Sequence, residues 1–214
     1  MKLTDILIEA PLPDDWDKSK FKSNTPFAQR VRYAEERAGK LGTGSSRIAF
    51  EIEYEGRPTV LKIAKNKKGI AQNDYESQMF SDYYVEGLEI TIPMIDHDEE
   101  NDPPTWLHVE KAEKMRPKQF KTFFDGMGAG DMMDCVIYLT GKEPSRYHIS
   151  DEKKERYNEL YEENDYIISL VDLIGNYDIH PGDFRYLANW GVYKNHPVII
   201  DIGASTEVIS SYYS

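Results

Sequence analysis

The chain has little of what marks a secreted, membrane-spanning or nucleic-acid-binding protein. Cys135 is its single cysteine, so no disulfide can form within one chain, and this suits a reducing compartment. No apolar run approaches the roughly 18 residues that a membrane-spanning helix needs, and no secretory signal is visible at the N-terminus. Lysine and arginine number 26 against 38 acidic residues, a formal net charge of -12, which disfavours a nucleic-acid-binding surface. We therefore expect a cytoplasmic protein without membrane or nucleic-acid partners.

The chain does contain enough apolar sequence for a folded core. Its 214 residues are 40% hydrophobic and include 15 tyrosines, sufficient for one good-sized core or two small lobes. Strand patterns come first and helix patterns second, which indicates the α+β class with a small antiparallel sheet lobe and a reduced, mainly helical lobe. The predicted boundaries are 1–26 for an amphipathic helix and a surface arm, 27–114 for the sheet lobe, and 115–214 for the helical lobe.

The strongest strand signal is a period-2 alternation of apolar and other residues over 48–54. A turn at 55–58 and a second strand at 59–64 complete a predicted hairpin. Beyond the hairpin, the patterns predict a helix, two strands around a solvated acidic loop, one long helix and a final strand. These elements cover, in order, residues 70–84, 90–95, 96–104 (the loop), 106–109, 151–174 and 198–200.

Gly42 and Gly44 precede the first predicted strand inside the hairpin region. Glycines in a β-turn allow backbone N–H groups to approach phosphate oxygens without obstruction by a side chain. The alternative is an ordinary turn, because a lone pair of glycines at this spacing is a weak signal.

Lys62 lies within an apolar strand, where its ammonium group needs an acceptor. One interpretation pairs it with nucleotide phosphates and with a carboxylate of the next helix, for which Glu76 is the candidate and Asp74 the substitute. Lys65 is the substitute lysine. The alternative is an edge lysine that extends its head group into water.

Three polar residues near the C-terminus form the second candidate site. Asp201 closes a buried apolar run, and a carboxylate in that position needs a partner or a metal ion. Asn189 can supply a second oxygen to Mg²⁺, and Asp183 can orient an incoming hydroxyl group. The alternative for Asp183 and Asn189 is turn formation, since both lie in turn-favouring sequences.

Taken in order, these segments resemble the protein-kinase-like superfamily, which includes eukaryotic-type protein kinases and small-molecule kinases such as aminoglycoside phosphotransferases. The resemblance covers roughly residues 41–203. The matching segments are Leu41-Gly42-Thr43-Gly44-Ser45-Ser46-Arg47-Ile48-Ala49 (the glycine-rich loop), Thr59-Val60-Leu61-Lys62 (the lysine strand), residues 106–112 (the strand running into the hinge that holds adenine), Pro181-Gly182-Asp183-Phe184 (the catalytic loop) and Asp201-Ile202-Gly203 (the metal segment).

The resemblance implies a kinase-like two-lobe fold, with ATP and Mg²⁺ as cofactors and ATP-dependent phosphate transfer as the activity. It assigns roles to the following residues: Asp183, Lys62 and Glu76 as catalytic; Gly42, Gly44, Ser45, Lys62, Glu110 and Ala112 as nucleotide-binding; Asn189 and Asp201 as metal ligands. The phosphate acceptor is not specified by these motifs.

The chain also departs from the family pattern. Arg47 stands where the family has its third loop glycine, and Pro181 stands where it has the catalytic-loop histidine. Asn189 follows Asp183 by six positions where the family has five, so Asp178 is an alternative catalytic acid with Asp183 in the place of the amide. Only eleven residues follow Gly203 in this sequence, which indicates a kinase of minimal size or, alternatively, an inactive pseudokinase.

The first ten residues resemble the capsid-targeting leaders of internal proteins in T-even-type tailed phages, which are cut after a Leu/Ile-x-Glu sequence. Leu7-Ile8-Glu9 fits that sequence, whereas the alternative is a plain amphipathic helix. A leader would imply a phage virion protein, packaged in the particle, that uses a kinase-like body to bind a host or phage protein.

Overall fold

The computed structural model describes residues 12–13, 15–142, 148–203 and 205–212. The chain divides into two units. The sheet unit comprises Met1–Met79 and Pro93–Lys111, and the helical unit comprises Phe80–Ile92 and Ala112–Ser214. The predicted leader at 1–10 lies outside the described residues.

The sheet unit is built on an antiparallel β-sheet. Its elements are helix α1 (Phe27–Glu35), strands β1 (Gly39–Thr43), β2 (Arg47–Tyr54) and β3 (Arg57–Ala64), helix α2 (Lys67–Phe80, ending at the junction with the helical unit), and strands β4 (Met94–His97) and β5 (Trp106–Glu110). The five strands form one sheet in the order β1-β2-β3-β5-β4. This order places β3, which carries Lys62, in the middle of the sheet.

The β2–β3 hairpin follows its predicted pattern closely. The apolar positions of β2 are buried, and β3 pairs with it residue by residue from Arg47↔Ala64 to Tyr54↔Arg57. The connection is shorter than predicted, because Glu55 and Gly56 alone form the turn, with φ values of 51° and 74°. Positive φ at both positions is typical of the tight turns that match the twist of paired strands.

A surface arm was predicted before α1, but this segment is packed into the core of the sheet unit. Trp16 and Phe21 are buried and pack with Tyr33, with ring centroids 5.7 to 6.0 Å apart. These rings belong to the core beneath β2 and β3. The prediction was wrong because Trp16 and Phe21 lie among charged residues, which made the segment look solvated. Their packing partner, Tyr33, is identified only by the tertiary structure.

The helical unit combines short helices with a small sheet. Its elements are α3 (Tyr83–Gly87), β6 (Glu113–Lys114), α4 (Pro117–Phe123), α5 (Ala129–Leu139), α6 (Asp151–Glu163), α7 (Asp165–Asn176), β7 (Trp190–Tyr193), β8 (His196–Ile199) and α8 (Thr206–Tyr212). The strands form an antiparallel sheet in the order β6-β7-β8. Trp190 centres an aromatic cluster with Phe120, Phe124 and Phe184, and its Nε1 donates to the Phe184 carbonyl over 3.0 Å.

The long helix predicted over 151–174 is two helices. Ser150 caps α6 by accepting from the Lys153 N–H. Asn164 then leaves the helical conformation, and its side chain accepts from the N–H groups of Tyr166 and Ile167 at the start of α7. Asparagine is a preferred N-cap residue, so the apolar stripe continues across a break that periodicity does not show.

Three smaller predictions are corrected. The helix predicted over 70–84 begins at Lys67 and ends at Phe80, before α3. The strand predicted over 90–95 begins only at Met94, after Pro93, whose missing N–H cannot contribute to a ladder. The acidic loop is not fully solvated, because Asp98 is buried and accepts from the backbone N–H of Thr105 over 2.9 Å.

The α+β class is confirmed, with an antiparallel sheet in one unit and mainly helices in the other. Cys135 is buried in α5, and burial raises the pKa of its thiol to about 12. Among the helices in the described part of the chain, none is long and apolar enough to cross a membrane.

Candidate functional site

A buried ion pair joins Lys62 of β3 to Glu76 of α2. Lys62 Nζ donates to Glu76 Oε2 over 2.9 Å. The lysine is 8% exposed and the glutamate is fully buried. The structure therefore contains the pair that the sequence predicted, while the catalytic roles of both residues stay predictions.

Arg47 is the third member of this cluster, and the sequence analysis did not identify it. Its guanidinium holds both carboxylate oxygens of Glu76, with Nη1 to Oε2 at 2.7 Å and Nη2 to Oε1 at 2.8 Å. Parallel hydrogen bonds of this kind fix direction as well as distance. Arg47 was considered only as the residue that replaces a loop glycine. The available signal was a charged residue directly before Ile48, the first apolar residue of the predicted strand.

Two positive charges decide the ionisation of Glu76. Burial by itself would raise the pKa of the carboxyl group, but the charges of Arg47 and Lys62 and their hydrogen bonds outweigh it. The pKa of Glu76 consequently lies well below its ordinary value of 4.5. The carboxylate stays charged throughout the physiological range, as a stable partner for a lysine must.

This shift predicts a loss of stability in acid. A lowered pKa in the folded state means that the contribution of Glu76 is complete above the unfolded value of 4.5 and declines as the pH falls below it. We expect the difference in unfolding free energy between wild type and Glu76→Gln to shrink below pH 4.5, by at most about 1.4 kcal/mol per pH unit. Urea unfolding of both proteins between pH 7 and pH 3 measures this difference. A difference that does not change with pH would contradict the assigned ionisation.

The glycine segment lies beside the lysine strand. Gly42 pairs with Ala49 of β2, and Ala49 pairs with Lys62 of β3, so Gly42 and Lys62 share one row across the sheet. With strands about 4.8 Å apart, their backbones are about 10 Å apart. A Cβ added at Gly42 would meet no described atom within 4 Å, and one added at Gly44 would meet only the Arg47 carbonyl, at 3.6 Å. Space for a ligand therefore adjoins both glycines.

Ser45 and its neighbour contact the start of α2. The Ser45 carbonyl accepts from Asn66 Nδ2 over 3.0 Å, and its hydroxyl accepts from Lys68 Nζ over 3.3 Å. The Ser46 carbonyl accepts from the Lys65 N–H over 2.9 Å. The glycine turn, residues 42–46, is thus attached to α2 on one side.

The substitute residues have other contacts. Asp74 accepts from Gln78 on the exposed side of α2 over 2.9 Å, and the structure places Glu76, not Asp74, against Lys62. Lys65 contacts the glycine turn through its backbone N–H.

Glu110 and Ala112, the predicted adenine contacts, flank the junction between the two units. The Glu110 carboxylate holds Arg57 Nη2 over 2.8 Å, and its N–H donates to the Pro93 carbonyl over 2.9 Å. Ala112 packs against Gly191, where an added Cβ would lie 2.6 Å from the Ala112 Cβ. Their role toward adenine stays a prediction.

In the helical unit, Asp183, Asn189 and Asp201 come together at the open end of the β7–β8 hairpin. Asn189 Nδ2 donates to the Asp183 carbonyl over 3.0 Å, and the Asn189 carbonyl accepts from the Ile200 N–H over 2.8 Å. The second bond brings Asp201 next to Asn189 across the hairpin. All three side chains are half-buried.

Asp183 lies within a short 3₁₀ helix, Pro181–Arg185, which begins after His180. His180 Nδ1 accepts from the Gly182 N–H over 3.1 Å, and a Cβ at Gly182 would collide with the imidazole at 2.7 Å. Loss of solvent around the ring lowers the pKa of His180, while the charge of Asp178 opposes the shift. A side chain at 182 would therefore displace the His180 ring and break its bond to the residue 182 N–H.

The donor set at the hairpin fits a magnesium ion. Asp201 offers carboxylate oxygens, and the amide nitrogen of Asn189 is already engaged, so its oxygen is the atom that it can offer to a cation. Mg²⁺ is commonly held by one or two protein oxygens, with waters and phosphates completing its shell. Within the described residues, no group of three or more His, Cys, Asp or Glu side chains is placed to hold a metal ion.

Comparison with known proteins gives a partial likeness. No protein-family model and no curated protein matches the sequence. Among solved structures, the chain is similar to aminoglycoside phosphotransferase APH(4)-Ia, with 15% identity and a TM-score of 0.26 over 54% of this chain and 36% of that chain. The apo form of a thermostable mutant of that protein matches with 15% identity and a TM-score of 0.27, over 49% of this chain and 33% of that chain. A ternary complex of such a mutant with ADP and hygromycin B matches with 14% identity and a TM-score of 0.28, over 52% of this chain and 37% of that chain. The chain thus spans about a third of the length of each of these structures.

Proposed function

We propose that this protein is an ATP- and Mg²⁺-dependent phosphotransferase whose acceptor is a hydroxyl group. The observation that carries the proposal is the buried Lys62–Glu76 pair, whose lysine lies in the same row of the sheet as Gly42. A lysine that is 8% exposed and held by an ionised carboxylate suits a fixed phosphate anion better than it suits a surface position.

In the sheet unit, Lys62 donates to phosphate oxygens while Glu76 holds its ammonium group in place. The backbone N–H groups near Gly42 and Ser45 contact the same phosphates, whereas the Gly44 N–H is bonded to the Arg47 carbonyl over 2.9 Å and fixes the turn; at Gly44 it is the missing side chain that leaves room for the phosphates. Glu110 and Ala112 are assigned to the adenine. These residues bind and orient the nucleotide without covalent chemistry, as expected when catalysis comes from positioning and charge neutralisation.

In the helical unit, Asp183 accepts a hydrogen bond from the acceptor hydroxyl and directs its oxygen toward the terminal phosphate. Asn189 fixes the Asp183 backbone through its amide and offers its oxygen, with Asp201, to the metal. Bound Mg²⁺ would neutralise charge on the phosphate oxygens while the terminal phosphoryl group is transferred.

Titration calorimetry tests the proposal directly. ATP is titrated with Mg²⁺, and again with EDTA, into the wild type and Asp201→Ala, after circular dichroism has shown that both are folded. We expect Mg²⁺-dependent ATP binding in the wild type and loss of that dependence in Asp201→Ala. Asp151→Ala is the matched control, because it also removes one negative charge, from a fully exposed side chain in the first turn of α6.

The outcomes separate the alternatives. A folded wild type that does not bind ATP would contradict the proposal. Binding that remains equally Mg²⁺-dependent in Asp201→Ala would place the metal elsewhere. Mg²⁺-dependent binding without any ADP formation would identify a pseudokinase that uses the site only to bind nucleotide.

A further inference from the structure

One face of α2 contacts the glycine turn and, further along the helix, Arg47, the residue that follows the turn. Besides the bonds to Ser45 and Ser46 described above, Gln72 Oε1 accepts from the Ser46 hydroxyl in a short hydrogen bond. Arg47 Nη1 then reaches the Asn73 amide oxygen at 3.5 Å and the Glu76 carboxylate at 2.7 Å. The contacting positions are Asn66, Gly69, Gln72, Asn73 and Glu76, and their spacing of three and four residues defines one helix face.

Gly69 makes this contact sterically possible. A Cβ added there would lie 2.3 Å from the Ser46 carbonyl oxygen and 3.1 Å from the Ala64 Cα. Both are backbone atoms, so neither could move aside by changing a rotamer. The turn can therefore remain in its place only if residue 69 has no side chain.

Arg47 continues the same contact to the ion pair. It follows the turn directly in the chain, and its two bonds to Glu76 fix the carboxylate that also holds Lys62. Helix α2 consequently holds both groups that are assigned to the phosphates, the backbone of the glycine turn and the side chain of Lys62. A displacement of the turn from α2 would disturb both.

We propose that α2 holds the glycine turn as a preformed cradle for the polyphosphate of a nucleoside triphosphate, with Gly69 and Arg47 as positioning residues that do not touch the nucleotide. This inference rests on the proposed function for the identity of the ligand. The attachment of the turn to α2 can be tested without any ligand. A preformed turn lowers the entropy cost of binding, so it increases the affinity for ligands that carry the polyphosphate that the turn contacts.

The decisive variant is Gly69→Ala, with Gly175→Ala as its matched control. Both replace a helical glycine by alanine, but the Cβ at 175 meets nothing within 4 Å. We measure the dissociation constants of ATP, ADP and adenosine in the presence of Mg²⁺. Gly69→Ala is expected to weaken ATP binding about 10- to 100-fold, the range for losing hydrogen bonds to a charged group, and to leave adenosine binding within about twofold. Equal weakening of all three ligands would mean that the contact is only structural, and would overturn the proposal.

Amide exchange of the nucleotide-free proteins provides the independent readout. The Lys65 N–H is bonded to the Ser46 carbonyl, so it should be protected in the wild type and in Gly175→Ala, and should exchange at least about 10-fold faster in Gly69→Ala. A rapidly exchanging Lys65 amide in the wild type would overturn the preformed cradle even if ATP binds. A wild type that is protected there but does not bind ATP would overturn the proposed function instead.

A milder variant covers the case in which Gly69→Ala does not fold. Asn66→Ala removes the bond to the Ser45 carbonyl and leaves the backbone of the turn unobstructed. The same selectivity is expected with a smaller loss, about 3- to 10-fold for ATP and none for adenosine. An unchanged ATP affinity with an unchanged Lys65 exchange rate would contradict the role of this face of α2.

Discussion

Replacing Glu76 by alanine is expected to lower the unfolding free energy by about 3–5 kcal/mol, the cost of leaving buried charges without their partner. Arg47 and Lys62 would both lose the carboxylate that neutralises them, at positions that are 7% and 8% exposed. The same substitution removes the fixed orientation of Lys62, so ATP binding should weaken as well. Urea unfolding monitored by circular dichroism measures the loss of stability.

Asp74→Ala is the matched control for this prediction. It removes an acid from the same helix, but one whose carboxylate accepts from exposed Gln78 and does not belong to the buried cluster. We expect a change within about 0.5 kcal/mol, as for most substitutions at solvated positions. A loss below about 1 kcal/mol for Glu76→Ala would show that the cluster of Arg47, Lys62 and Glu76 contributes little to folding.

Asp183→Asn is expected to lower the rate of ADP formation from ATP about 10²- to 10⁴-fold, the usual contribution of a positioned proton acceptor. The amide has nearly the same shape as the carboxylate, so folding should be retained. The Mg²⁺-ATP dissociation constant should change by less than about threefold, because Asp183 is assigned to the acceptor and not to the nucleotide. Coupled-enzyme detection of ADP measures the rate.

Asp178→Asn decides between the two catalytic acids that the sequence left open. Asp178 is exposed, whereas Asp183 is half-buried and its backbone is bonded to Asn189. We expect Asp178→Asn to retain at least about half of the wild-type rate. The reverse result, with Asp178→Asn inactive and Asp183→Asn active, would assign catalysis to Asp178 and move Asp183 to the place of the metal-binding amide.

The parts of the fold that the sequence predicted are those that depend on near neighbours. The β2–β3 hairpin follows from alternation along one short segment and a turn of two residues with positive φ. The Lys62–Glu76 pair could also be predicted from the sequence, because a lysine in an apolar strand and a glutamate central in the next helix each need a partner.

The errors have the opposite origin. The break at Asn164 lies within a continuous apolar stripe, and only the bonds that its side chain makes to the next turn reveal it. Trp16 and Phe21 appeared to belong to a charged arm, because their partner Tyr33 is separated from them in sequence. In each case a contact outside the local pattern decided the conformation.

Composition and short-range periodicity reflect burial directly, so the α+β class, the hairpin and the chemical types of the candidate residues could be predicted from the sequence. Which of these residues meet depends on the packing of segments that are distant in the chain. The tertiary structure assigned Arg47 to Glu76 across 29 positions of chain, and it placed Asn189 between Asp183 and Asp201 through a hairpin whose first strand was not predicted. The physical reason is that charge and shape are properties of single residues, whereas the partner of a buried charge is set by the packing of β2 against α2.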